Sequence, residues 1–95
     1  MTKHEEYYQR MIDGNSKIFT EFMDLHDKYA TNSIIWQAQY NEVGAKIMDI
    51  IRDWERRLCQ HSERGKFSKY SANLSDKFWA LVRQDFPKID FVGVK

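Results

Sequence analysis

Residues 8–29, YQRMIDGNSKIFTEFMDLHDKY, decide the fold class. Tyr8, Met11, Asn15, Ile18, Phe22, Leu25 and Tyr29 recur at intervals alternating between three and four residues. At 3.6 residues per turn, that spacing lines one face of an α-helix. Ile12, Phe19 and His26 widen the stripe on one side. Upstream, Thr2 and Glu5 have the spacing of a capping box, in which the hydroxyl accepts from the Glu5 amide and the carboxylate reaches back. Glu5 and Glu6 put negative charge in the first turn, where the helix dipole favours it. These signals predict one helix over about 3–29. Gly14 lies inside the pattern but off the stripe; it costs about 1 kcal/mol relative to Ala and marks a place for a kink.

Ala30, Thr31, Asn32 and Ser33 interrupt the periodicity and offer three capping side chains. A second helix is predicted over 33–63, with two adjoining stripes. One holds Trp36, Tyr40, Val43, Ile47, Ile50 and Trp54; the other holds Gly44, Met48, Ile51 and Leu58. A broad apolar face of this kind suits a central helix packed on both sides, with Trp54 in the core. Gly65 stands where a left-handed residue commonly closes a helix. Residues 65–72 read as a loop, and Asn73 as the cap of a third helix over 74–86 buried through Leu74, Phe78, Leu81 and Val82. Pro87 disfavours further helix. The tail 87–95, carrying Ile89, Phe91, Val92 and Val94, is too apolar to stand free and is expected to pack.

The expected architecture is therefore all-α: a single domain over 1–95, built as a long antiparallel hairpin, a shorter third helix and an apolar C-terminal tail packed on it. One proline among 95 residues fits a few long helices. A chain this short buries a thin core, and the 15% aromatic content compensates, since each ring buries about 150–250 Å². Cys59 is the only cysteine, which excludes an intrachain disulfide and suits a reducing compartment. No run approaches the roughly 18–20 apolar residues that span a bilayer, and the first residues lack the apolar core of a signal peptide. The expected setting is cytoplasmic, with no membrane partner.

The chemistry of catalysis is sparse in this sequence. His4, His26 and His61 are far apart, and Cys59 and His61, two residues apart, point to nearly opposite sides of a helix. No Cys-x-x-Cys, His-Glu-x-x-His or paired Glu-x-x-His pattern occurs. Ser62, Ser68, Ser71 and Ser75 flank predicted helix ends, where capping accounts for them. There is no Gly-rich phosphate loop. No catalytic residue, metal ligand or cofactor is expected, and the chain reads as a non-enzymatic protein–protein interaction module, an adaptor, regulator or assembly subunit acting as a homo-oligomer.

Two surfaces and one residue are candidates for that work. A third helix of about 20 Å leaves the other end of the hairpin uncovered. That end carries Phe22, Leu25, Tyr29, Ile34, Ile35 and Trp36, and it needs the tail, a second copy or a partner protein as a lid. Asn15 sits in an apolar stripe, where it either sets register by pairing with a like residue in another chain or bonds a carbonyl of its own chain near Gly14. The alternative function is a nucleic-acid-associated accessory protein. Net charge is +1, but residues 1–51 hold five Lys/Arg against eight Asp/Glu, while residues 52–95 hold ten against six. Within the second half Arg52, Arg56, Arg57, Arg64, Lys66 and Lys69 are interleaved with Phe67 and Tyr70, a pairing of cations and rings that suits phosphates and bases. Asp53, Glu55 and Glu63 dilute this field.

Overall fold

The computed structural model describes residues 2–63 and 68–93, with side chains described over 2–60 and 73–93. It is all-α. Among the described residues there are four helices and no strand: α1 (Lys3–Gly14), α2 (Ser16–Thr31), α3 (Ser33–Glu63) and α4 (Ser68–Asp85), followed by a 3₁₀ turn at Ile89–Phe91. The expected Gly65 helix stop falls outside the described residues.

The helix predicted over 3–29 is two helices, and the break lies at Asn15. Gly14 has no side chain to pack, and Asn15 and Ser16 both compete for backbone hydrogen bonds. At Asn15 (φ −134°, ψ 32°) the backbone N–H turns to the Ile12 carbonyl at 3.3 Å. The carbonyl it would have used in an uninterrupted helix, that of Met11, is taken by the Asn15 side-chain amide at 3.0 Å. The Asn15 carbonyl then accepts from Phe19 N–H at 3.1 Å and starts α2. Asn15 thus bonds within its own chain and acts as the joint between two helices. At the other end of α1 the capping box forms as the Thr2–Glu5 spacing requires: Thr2 Oγ1 accepts from the Glu5 amide at 3.4 Å, and Glu5 Oε1 accepts from the Thr2 amide at 3.0 Å. The bonds from Thr2 also hold the Glu5 carboxyl below its ordinary pKa.

α1 and α2 run antiparallel to α3. Tyr7 on α1 meets Trp54 edge-on at 6.1 Å, while Tyr29, near the end of α2, stacks on Tyr40 at 4.0 Å. α4 returns alongside α1, with Tyr8 edge-on to Phe78 at 6.0 Å and the Tyr8 hydroxyl donating to Asp85 at 2.6 Å. Burial, and next the bond to Asp85, hold the Tyr8 phenol above its ordinary pKa. The molecule is 46 Å along its longest axis, about the length of α3 at 1.5 Å per residue.

Met11, Phe22, Tyr40, Ile47, Ile51, Leu58, Phe78 and Val82 are fully buried. On α3 the buried line passes between the two stripes read from the sequence, so Trp36, Val43, Met48, Ile50 and Trp54 pack only at its margins. Trp54 is therefore not a core residue as expected; one face meets Tyr7, and the Arg57 guanidinium lies 4.8 Å from the ring. The third helix predicted to start at 74 starts at Ser68, and Asn73 is an exposed interior position, not a cap. Packing overrides weak local propensity here. Leu74, Phe78 and Val82 form the buried face, and the Ser75 hydroxyl and the Trp79 indole both donate to the Glu55 carboxylate on α3, the indole at 2.7 Å.

Candidate functional site

The end of the molecule where α2 turns into α3 holds the surface expected to need a lid. The tail covers much of it. Phe86 lies 5.2 Å from Phe22 and 6.1 Å from Phe19, ring to ring, and Ile89 is buried beyond it. Val92 seats directly on Gly44, where a Cβ would lie 2.7 Å from both Val92 methyl groups.

Polar side chains from α2 and α3 grip the tail by its main chain. Lys88 N–H donates to His26 Nε2 at 3.1 Å, and the Tyr40 hydroxyl donates to the Lys88 carbonyl at 2.6 Å. Gln37 and Asn41, one helical turn apart, extend the grip. Gln37 receives a hydrogen bond from the Tyr29 hydroxyl at 2.8 Å and donates to Asn41 Oδ1 at 2.7 Å, and its amide also reaches the Phe91 carbonyl at 3.4 Å. Asn41 Oδ1 accepts in turn from Gly93 N–H at 2.8 Å. Gly93 itself has φ +88°, a conformation that Gly adopts without penalty.

His26 is buried among Phe22, Tyr40 and Phe86. Because Nε2 accepts, the neutral ring carries its proton on Nδ1. That Nδ1 has no hydrogen-bond partner among the described residues, and the Asp27 carboxylate stands 3.7 Å away. Burial pushes the imidazole pKa down; Asp27 pulls the other way, and the Lys88 charge adds to the lowering. Burial likewise raises the Tyr40 phenol pKa, with Tyr29 contributing next.

The six residues expected to form the open end are divided by the structure. Phe22, Leu25 and Tyr29 are core residues with no exposed face to offer a partner. Trp36 is half-buried beneath the Lys28 ammonium, 5.1 Å from the ring, and Lys28 also pairs with Asp24 at 3.0 Å. Ile34 and Ile35 stay open, 90% and 68% exposed, and Phe91 on the tail is 47% exposed. Of the basic surface, Arg52 is exposed, while Arg56 and Arg57 share Asp53 at 3.8 and 2.9 Å. Arg64, Lys66 and Phe67 lie outside the described residues; Lys69 and Tyr70 fall in α4, their side chains outside the description. Most side chains of the anion-binding set thus lie outside the described residues.

Among the described residues no group of three or more His, Cys, Asp or Glu side chains is placed to hold a metal ion, and no helix is long and apolar enough to cross a membrane. Comparison with protein-family models, with curated proteins and with solved structures gives no match. The main-chain grip by His26, Gln37, Tyr40 and Asn41 is the feature sequence reasoning missed. Its one sequence signal was a pair of amides, Gln37 and Asn41, at helical spacing on the side of α3 that carries Tyr40.

Proposed function

We propose that this chain is a non-catalytic interaction module that docks a second protein, in the first instance another copy of itself, on the end formed by Ile34 and Ile35. The observation that carries this reading is the exposure of both residues in the first turn of α3. Single exposed apolar residues are ordinary. Two adjacent exposed isoleucines are costlier, because they leave a large apolar area in water and find no packing in return. Their contribution lies in a contact that the folded chain does not itself make. Phe91, 47% exposed, lies at the same end of the molecule, beside Tyr29, Ala30, Ser33 and Lys88.

The test is the variant pair Ile34→Asp and Ile35→Asp made together. Surface changes of this kind move stability by no more than about 0.5 kcal/mol, so the helical spectrum and melt should be preserved. Light scattering over a concentration series should show self-association of the unaltered chain and a monomeric variant. A chain that is monomeric throughout, and whose variant captures the same proteins from its native extract as the unaltered chain, would refute the reading.

A further inference from the structure

A second surface, remote from Ile34 and Ile35, has a defined chemistry. A groove of about 440 Å³ opens between the outer face of α2 and the end of α4. Its floor is Ile12, Phe19, Met23 and Phe86; Ser16 and Thr20 lie along it, and Asp24, Asp27 and Asp85 line it as well. On α2 the positions 16, 20, 23, 24 and 27 follow helical spacing and form one continuous face. No Lys or Arg is among the lining residues.

The charges are available for a partner. Asp24 pairs with Lys28 at 3.0 Å, but the carboxylate is 70% and the Lys28 side chain 49% exposed, and such surface pairs contribute little. Asp85 accepts one hydrogen bond from Tyr8, a fraction of the acceptor capacity of a carboxylate. It is also the last residue of α4, where the helix dipole adds negative potential. Asp27 is exposed and lies 3.7 Å from the His26 ring. Met23 stands open on the floor, a flexible side chain suited to reshaping around an apolar anchor.

We propose that this groove docks a cationic amphipathic helix of a partner protein, with one large apolar side chain seated between Met23, Phe19 and Phe86 and Lys or Arg side chains reaching Asp24, Asp27 and Asp85. The apolar floor selects the helix face, and the acidic lining selects the charge. This is helix-in-groove recognition with complementary potential. It does not depend on what docks at Ile34 and Ile35.

The experiment uses the full chain, ¹⁵N-labelled, titrated with a Leu/Lys amphipathic peptide of about 18 residues, long enough to hold helix. A Leu/Glu peptide of the same length is the control. Amide shifts should concentrate at Ile12, Thr20, Met23, Asp27 and Phe86, and the Leu/Glu peptide should produce none. Reversing two charges, Asp24→Lys with Asp27→Lys, should weaken binding about tenfold or more, mainly through a slower and less salt-sensitive association. Met23→Ser, at an exposed position, should weaken it severalfold without changing the helical spectrum. The matched reversal on α3, Asp49→Lys with Asp53→Lys, should leave affinity within about twofold, as expected for charges outside the contact. Absence of binding, shifts spread over Glu21, Glu42 and Asp49, or unchanged affinity in Met23→Ser would each overturn the proposal. So would shifts gathered at Ile34 and Ile35, or Met23 and Phe86 amides that move on diluting the chain alone, the second of which would put another copy in the groove.

Discussion

The main-chain N–H of Lys88 donates to Nε2 of His26 at 3.1 Å, so the tail is anchored on an imidazole that must be neutral. Protonating Nε2 would turn the acceptor into a donor facing a donor, and would place a charge among Phe22, Tyr40 and Phe86 with the Lys88 ammonium nearby.

Stability should therefore fall on acidification. The ring's pKa is lowered on folding from 6.5, so the unfolded chain takes up the proton first. The contribution of His26 is complete above pH 6.5 and is lost progressively as pH falls below that value, through the folded-state pKa. Urea melts at intervals from neutral pH downward should show this decline. In His26→Gln, whose side-chain carbonyl can still accept from Lys88, the decline in that window should be smaller. An identical pH profile for the two chains would remove His26 from the account.

Gly44 is required by the seat of Val92. Gly44→Ala puts a methyl group 2.7 Å from two Val92 carbons, and overpacking of this kind costs about 1–3 kcal/mol. Adding Val92→Ala should recover part of the loss, and a double-mutant cycle measures the coupling. Strictly additive effects would mean that the tail does not lie on Gly44 in solution.

Gly14 should behave in the opposite way. It has no neighbour within 4 Å of a built Cβ and no left-handed backbone, so Gly14→Ala should raise stability by about 0.5–1 kcal/mol. A denaturation midpoint below that of the unaltered chain would show that the α1–α2 joint needs the freedom of glycine.

Two aromatic truncations distinguish the core from its margin. Phe22→Ala should cost about 3–5 kcal/mol, since Phe22 is fully buried against Tyr40 and Phe86. Trp54→Ala should cost about half as much or less, because Trp54 is only partly buried at the margin of the core, against Tyr7 and with the Arg57 guanidinium beside its ring. Equal losses in parallel melts would mean that Trp54 is as deeply packed as Phe22.

The helical class was legible because Tyr8 to Tyr29 and Tyr40 to Leu58 keep their period over several turns. The Thr2–Glu5 cap was legible because its spacing is local. The break at Asn15 was visible only as a low-propensity pair, Gly14 and Asn15; choosing a joint over a continuous helix required knowing that the Asn15 amide would take the Met11 carbonyl. The early start of α4 was hidden for a related reason. Asn73 and Ser75 look like caps until Glu55, 20 residues before Ser75, supplies the hydroxyl with a partner. In the candidate site, Ile34 and Ile35 could be picked out from their position after a turn, but Phe22, Leu25 and Tyr29 could not be separated from them. For Phe22 that separation is made by Phe86, more than 60 residues on, and for Tyr29 by the stacked ring of Tyr40 on the next helix, contacts that no local pattern encodes.

The grip on the tail has a consequence for how this segment can vary. The tail atoms held by α2 and α3 are the amide and carbonyl of Lys88, the carbonyl of Phe91 and the amide of Gly93, all of them main-chain; α4 adds one side-chain pair, the Arg83 guanidinium donating to the Asp90 carboxylate at 3.2 and 3.3 Å. Exchanging the side chain at Lys88 or Phe91 leaves every one of those main-chain atoms in place. Inserting or deleting a single residue between Pro87 and Gly93 misaligns them and lifts Val92 from Gly44. The exposed positions of the segment are therefore tolerant of substitution, while buried Ile89, Val92 on Gly44, left-handed Gly93 and the length of the segment are not.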